Sequence, residues 1–194
     1  GAAGELFAIR TRLFRELPDD TLLDDFVMSL QIAHEGHRIH YCKEAYALET
    51  ASLNMQEEEK RKVRIAAGGL QSVGRLLALL NPFRHGWLSF QYISHRVLRW
   101  TVTPVALFLL LPLNGALILM QTQPVWLYQI LGLLQLLFYL SALVGSYLAH
   151  HAIKNKILFI PYYFLFMNLN VFKGAAYLRR FEGNAAWEKA RRSK

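Results

Sequence analysis

Residues 100–153 read WTVTPVALFLLLPLNGALILMQTQPVWLYQILGLLQLLFYLSALVGSYLAHHAI, 54 consecutive positions without Asp, Glu, Lys or Arg. A membrane helix needs about 20 apolar residues, so the stretch holds two, divided at the uncharged turn Gln121-Thr122-Gln123-Pro124. The first predicted span covers about residues 100–120, with Pro104 and Pro112 able to kink it. The second covers about 125–150. A third apolar segment, about 157–178, follows Lys154 and Lys156 and is interrupted by Lys173. It reads either as a span or as a re-entrant or interfacial segment, which Asn168, Asn170 and Lys173 would tolerate. The whole 194-residue chain agrees: it is 54% hydrophobic and only 19% charged, with a mean hydropathy of +0.19. That is too apolar for a disordered chain or an ordinary soluble domain.

The net charge of +8 is uneven. Residues 1–99 carry 13 Lys and Arg against 12 Asp and Glu, whereas residues 154–194 carry 9 against 2. The basic excess flanks the apolar block, as expected at a cytoplasmic membrane edge facing anionic lipid. Arg96 and Arg99 place the start of the first span inside, at headgroup level, with Trp100 as an interfacial anchor. Lys154 and Lys156 bring the chain back inside. If the third segment spans, the basic tail with Arg179, Arg180, Lys189, Arg191, Arg192 and Lys194 lies outside, against the positive-inside rule. Nucleic acid is not an expected partner, because no basic stretch is interleaved with aromatics on a soluble platform. The lone Cys42 excludes an internal disulfide framework and a cysteine zinc site.

Upstream, the chain lacks an initiator Met and a signal peptide and opens on Gly1-Ala2-Ala3-Gly4 before an apparent strand, Leu6-Phe7-Ala8-Ile9. A strand that begins a chain without its neighbours suggests a fragment or a processed chain. A short helix over 11–18 follows, and a second helix is expected to start near Asp19-Asp20-Thr21, where Asp or Thr can cap it. Its residues Leu23, Phe26, Val27, Leu30 and Ala33 share one face, and Gly36 ends it. Residues 37–42 read as a short strand and 45–54 as irregular. Farther on, Val63, Ala67, Leu70, Leu77 and Leu80 form one helical face and Arg61, Arg64, Gly68, Gln71 and Arg75 another. Such a helix, over about 60–80, can lie flat in the headgroup layer, and Asn81-Pro82 stops it. The expected organisation is therefore 1–58, the end of a soluble α/β unit; 59–99, amphipathic interface helices; 100–178, the transmembrane region; and 179–194, a basic tail.

Two groups could carry chemistry. Asp24-Asp25 opens a helix, where two acids complement the helix dipole; Asp19-Asp20 satisfies the same rule, so the dipole alone does not single out the second pair. Downstream, Glu57-Glu58-Glu59-Lys60-Arg61-Lys62-Val63-Arg64 is a charge run of the kind that usually forms a solvated face. Within it Arg61 and Arg64 lie three apart on one helical face, the arrangement that grips a diphosphate with forked donors. His34, His37 and His40 are also three apart, but Gly36 breaks the helix between them and a shared metal site is not expected. His150-His151 reads as an interfacial pair, and Cys42 as a small buried residue.

A carboxylate pair, a basic cluster some forty residues on, and then membrane helices resembles the C-terminal half of membrane-embedded family 2 glycosyltransferases. That group contains the cellulose, hyaluronan, chitin and poly-N-acetylglucosamine synthases. The likeness covers most of residues 1–100. Gly1-Ala2-Ala3-Gly4-Glu5-Leu6-Phe7-Ala8-Ile9-Arg10 looks like the acceptor-side strand. Leu23-Asp24-Asp25-Phe26 sits where the family has two acids, the second being the catalytic base, so the resemblance gives that role to Asp25 with Asp24 beside it. Arg61-Lys62-Val63-Arg64-Ile65-Ala66-Ala67-Gly68 is similar to the family's Gln-x-x-Arg-Trp motif and the glycine after it, which implies that Arg61, Lys62 and Arg64 bind the nucleotide diphosphate and Ile65 lies on the acceptor side. Gln71, the stretch Ser94-His95-Arg96-Val97-Leu98-Arg99-Trp100, and Trp187 with Arg191 also look familial. Two positions depart from the motif: Arg61 replaces its Gln and Ile65 its Trp. In the synthases that Trp helps form the acceptor site at the mouth of the polysaccharide channel, a contact Ile65 does not supply.

The resemblance implies an α+β, mostly α fold: the C-terminal remnant of a GT-A domain, then interface helices and two to three transmembrane helices. It implies inverting transfer from a nucleotide-sugar donor to a growing polysaccharide, in the inner (cytoplasmic) membrane with the catalytic part in the cytoplasm. Such transfer needs a carboxylate to deprotonate the acceptor hydroxyl and cations to receive the departing diphosphate. A divalent cation, Mg2+ or Mn2+, is expected with its ligands outside this chain, since no Asp-x-Asp occurs here, and the chain alone is expected to be inactive. Two other readings stand beside this one. They are transfer of a single sugar to a lipid acceptor, and a non-enzymatic membrane scaffold in which both charged groups are structural.

Overall fold

The structure, a computed structural model, describes residues 6–50, 52–120, 126–151, 153 and 155–181. Expectations for Gly1, Ala2, Ala3 and Gly4, the turn at 121–124, Lys154 and the tail bearing Trp187 and Arg191 fall outside them. The chain is mostly helical and forms two compact units, one of residues 1–100 with 170–194 and one of 101–169.

In the first unit neither predicted strand is present; no described residue belongs to a strand. Residues 6–9 and 37–42 are irregular because a strand is stable only in a hydrogen-bonded ladder with others, and the described chain offers no neighbour. The helix expected over 11–18 is a single 3-10 turn, Thr11–Leu13, with no buried residue. A segment that buries no face gains too little to offset helix nucleation.

Helix α1 (Asp24–His34) begins later than its cap-like residues suggest, with Asp24 and Asp25 in its first turn and Leu23 as an N-cap that makes no side-chain bond. Asp19-Asp20-Thr21 is instead tied down as a turn. The Thr21 hydroxyl donates to the Pro18 carbonyl at 2.5 Å, and Arg75 pairs with Asp20 at 2.6 Å. At the other end Gly36 has φ +91°, a backbone only glycine adopts freely, and its N–H donates to the Ala33 carbonyl at 3.1 Å.

Helix α2 (Met55–Arg75) is capped by Asn54, whose side-chain oxygen accepts from the Glu57 N–H at 2.9 Å. Its middle, Ala66-Ala67-Gly68-Gly69, is wholly buried. Gly68 lies against Leu22 and Leu23, and Gly69 lies under the indole of Trp100. A Cβ on Gly174 of α8 (Lys156–Arg179) would fall 2.7 Å from Ala66 Cβ. Helix α2 is thus packed with protein on several sides. Leu70, expected to face lipid, packs on the core of Phe26, Leu30, Leu76, Leu79, Tyr92 and Trp100, whereas Leu77 is exposed. Trp100 is a core residue, 5% exposed, and not an interfacial anchor. Helical periodicity marks an apolar face but does not say whether lipid or protein covers it.

After α2 come a 3-10 turn (Leu77–Leu80) and α3 (Pro82–His85), for which Asn81 accepts the N–H groups of Phe83 and Arg84 at 3.0 and 3.3 Å. Helix α2 thus ends at Arg75, ahead of the stop expected at Asn81-Pro82, and that pair instead starts α3. Gly86 turns the chain at φ +50° into α4 (Trp87–Tyr92), a π-helical turn (Ile93–Val97) and α5 (Leu98–Trp100).

Three helices are long and apolar enough to cross a membrane: α6 (Val102–Met120), α7 (Trp126–His150) and α8. At 1.5 Å per residue they are roughly 28, 37 and 36 Å long, against about 30 Å of hydrocarbon. The third apolar segment is one continuous helix that includes Pro161. Within the second unit small and polar residues join the helices, as expected where lipid supplies no hydrophobic drive. Asn114 donates to the Tyr128 carbonyl at 3.0 Å across from Gly132, Tyr139 donates to the Leu107 carbonyl at 2.5 Å, and Gly145 abuts the Leu158 carbonyl.

Two glycines of α2 make a matched test. Gly74 has open space at its Cβ position, so Gly74→Ala is expected to stabilise the chain by about 0.5–1 kcal/mol. Gly69→Ala drives a methyl into Trp100 and is expected to destabilise by about 1–3 kcal/mol. Denaturation in detergent followed by circular dichroism checks both signs.

Candidate functional site

Helix α2 carries one of the two groups singled out by sequence and holds the chain that leads into the other. Gln71 is a two-sided clamp: its side-chain oxygen accepts the Leu22 N–H at 3.0 Å and its amide donates to the Asp20 carbonyl at 2.8 Å. Arg75 adds bonds to Asp20 and Thr21 one turn later. With Gly68 pressed on Leu22 and Leu23, the chain entering α1 is held along α2, and Arg64 lies one turn before Gly68 on the same face. Asp24 is exposed at the start of α1 and Asp25 half-buried.

The basic turn is not a uniform set of free cations. Arg61 pairs with Glu49 at 3.4 Å and Glu58 at 4.0 Å, and Lys62 pairs with Glu58 at 3.2 Å. Glu59 is taken by Lys173 of α8. Arg64 differs: among the described residues it forms no ion pair, and its Nε is buried without a hydrogen-bond partner. Ile65, the next residue, is half-buried. The described residues contain no group of three His, Cys, Asp or Glu able to hold a metal, so the divalent cation the resemblance implies has no donor set among them.

Arg96, expected at headgroup level, is packed into this neighbourhood of the protein. Its guanidinium lies 5.1 Å from the Phe26 ring centre and 5.8 Å from that of Trp100, a desolvated cation–π arrangement. Burial pulls its pKa below the ordinary value, the Arg99 charge adds to that, and the Asp25 carboxylate opposes both. Asp25 and Arg96 thus sense one another across the α1 N-terminus. Nearby, burial raises the Tyr92 phenol against the opposing effect of its bond to Ser72. Arg96 and His95 sit on the π turn, a helix irregularity common at functional sites. Arg96 also lines a groove of about 910 Å³ between α1, the chain after Gly36, and α4 with the π turn. The sequence reading missed this groove. Its signal was the cluster of His37, Arg38, His40 and Trp87, which no helical or strand period organises.

At the far end of α1, His34 meets His85 of α3 with ring centres 4.5 Å apart, and His34 Nδ1 and His85 Nε2 are buried without partners. Desolvation first, then the charges of His34 and Arg84, lower the His85 pKa. A folded pKa below the ordinary 6.5 means the unfolded chain binds the proton more readily, so stability is lost as pH falls through about 6.5. Unfolding measured between pH 7.5 and 5.5 is expected to show this decline, and His85→Gln to flatten it; an unchanged slope would remove the pair as its source.

Comparison with protein-family models, with curated proteins and with solved structures gave no match.

Proposed function

We propose that the chain carries the acceptor and leaving-group side of an inverting, membrane-embedded family 2 glycosyltransferase. In this reading it moves a sugar from a nucleotide-sugar donor to a growing polysaccharide, at the cytoplasmic face of the inner membrane. The observation that carries the reading is Arg64. Its neighbours Arg61 and Lys62 are paired with acids, yet Arg64 keeps a buried N–H without an acceptor. An unmet buried donor costs about 1–3 kcal/mol, and an anionic oxygen arriving beside it relieves that cost.

The chemistry then assigns itself by residue. Asp25 takes the proton of the acceptor hydroxyl while that oxygen bonds to the anomeric carbon. On the opposite face the bond from that carbon to the diphosphate oxygen breaks, and the diphosphate leaves with both electrons. Arg64 meets the charge it gains with a planar fork that does not titrate. Asp24 shapes the charge around Asp25. A second reading, one sugar moved to a lipid acceptor, is favoured by Ile65, which lacks the aromatic face that a threaded polysaccharide would stack on. Product length separates the two.

In the full polypeptide that contains this chain, Asp25→Asn is expected to abolish transfer while leaving nucleotide-sugar binding largely intact, and Asp24→Asn to hurt less. Arg64→Ala and Arg64→Lys are both expected to lower turnover about a hundred- to a thousandfold and to weaken product inhibition by the nucleoside diphosphate. Turnover unchanged in all of these variants would return both charged groups to structural roles, as in a scaffold.

A further inference from the structure

We propose that the groove between α1 and α4 is a binding site for the phosphate headgroup of an anionic membrane lipid. The inference stands apart from the glycosyl-transfer reading and does not need it.

The lining is one-sided in charge. Arg38 and Arg96 contribute two permanent cations, His37, His40 and His95 contribute three imidazoles, and among the described residues no Asp or Glu lines the groove. The one acid that acts on Arg96 is Asp25, outside the lining. The Arg96 guanidinium lies over the rings of Phe26 and Trp100, which stand at 86° to one another. The donors lie in its plane, and among the described residues none of them has a hydrogen-bond partner. Arg38 likewise has no acidic partner among the described residues. A planar fork with free donors suits phosphate oxygens.

The rim decides which phosphate. Trp87 is 69% exposed and stacks on Phe90 at 5.0 Å, with Phe90 itself 54% exposed. A soluble anion gains nothing from this open aromatic pair, whereas the amphipathic indole of Trp87 beside cations is what the headgroup layer of a membrane favours. Arg96 is also only six positions before Val102, the first residue of a helix able to span a membrane. The groove floor, Phe26, Leu30 and Tyr92, is apolar and suits the glycerol and upper acyl carbons.

The experiment is native mass spectrometry of the 194-residue chain in detergent, titrated with dioleoyl phosphatidylglycerol or dioleoyl phosphatidylcholine. Retention is expected to favour phosphatidylglycerol. A cation near a lipid surface is worth about a fivefold change in affinity, so Arg38→Gln with Arg96→Gln should cut the preference roughly twenty-five-fold. Arg96→Lys, which keeps the charge but not the fork, should retain only part of it and guards against misfolding of the Gln variant. Trp87→Ala should weaken retention of both lipids. The basic tail is common to every variant, so the comparison between variants carries the result. Equal retention of the two lipids, or a preference unchanged in the double variant, would overturn the proposal. So would displacement of the lipid by millimolar inorganic phosphate, which would mark a free-anion site instead.

Discussion

Four small residues in a row, Ala66-Ala67-Gly68-Gly69, are the constraint on which the first unit depends. Each removes side-chain bulk from a different side of α2, so the chain leading into α1, the Trp100 indole and the C-terminal part of α8 can all approach one helix closely. Glycine weakens a helix by about 0.5–1 kcal/mol relative to alanine. Here that loss is offset by burial of Leu22, Phe26 and Trp100, residues whose full burial is worth roughly 1.5–3 kcal/mol for a large apolar side chain. Because α2 also bears the basic turn, the same close packing that builds the core sets the distance between its cations and the acids of α1.

Charge is sorted along that helix by neighbourhood. The N-terminal turn holds acids that pair with Lys60, Arg61 and Lys62, and the side chains of Glu57 and Glu58 are largely buried in those pairs. Past that turn the cations change role. Arg64 keeps a buried donor unmet, Arg75 fastens the turn before α1, and Arg96 lies on aromatic rings. Three arginines within one unit thus do three different things, determined by what lies within a few ångströms of each.

The first two spans were legible because nothing competes with a long uncharged run, whereas the third, broken by Lys173, was legible only as an apolar segment. Their ends fell within two residues of expectation at Val102, Trp126 and Lys156. Asp24 and Asp25 were legible as a helix opening because first-turn acids answer the helix dipole. Other features depended on partners that a linear pattern does not name. The apolar stripe containing Ala67 and Leu70 looks the same whether lipid or protein covers it, and Trp100 before a span looks like a membrane anchor until Gly69 is found beneath it. The expected strands at residues 6–9 and 37–42 carry the right side chains but meet no ladder among the described residues. The groove is harder still, since it joins an irregular segment to two helices across more than fifty residues of sequence.

The π turn at Ile93–Val97 has a consequence for how this segment tolerates change in length. A π turn accommodates one residue more than the α-helix around it, and each helical residue rotates the chain by about 100°. Loss of a single residue there would let the segment wind back to α geometry with Tyr92 and Trp100 still in phase, because the π turn spreads one more residue over about the same rotation. Both rings belong to one core, Tyr92 at 3% and Trp100 at 5% exposure, so that core can survive the deletion. A further inserted residue has no second such turn to take it up and would rotate one ring by about 100° out of the core. This short stretch can lose a residue more easily than it can gain one.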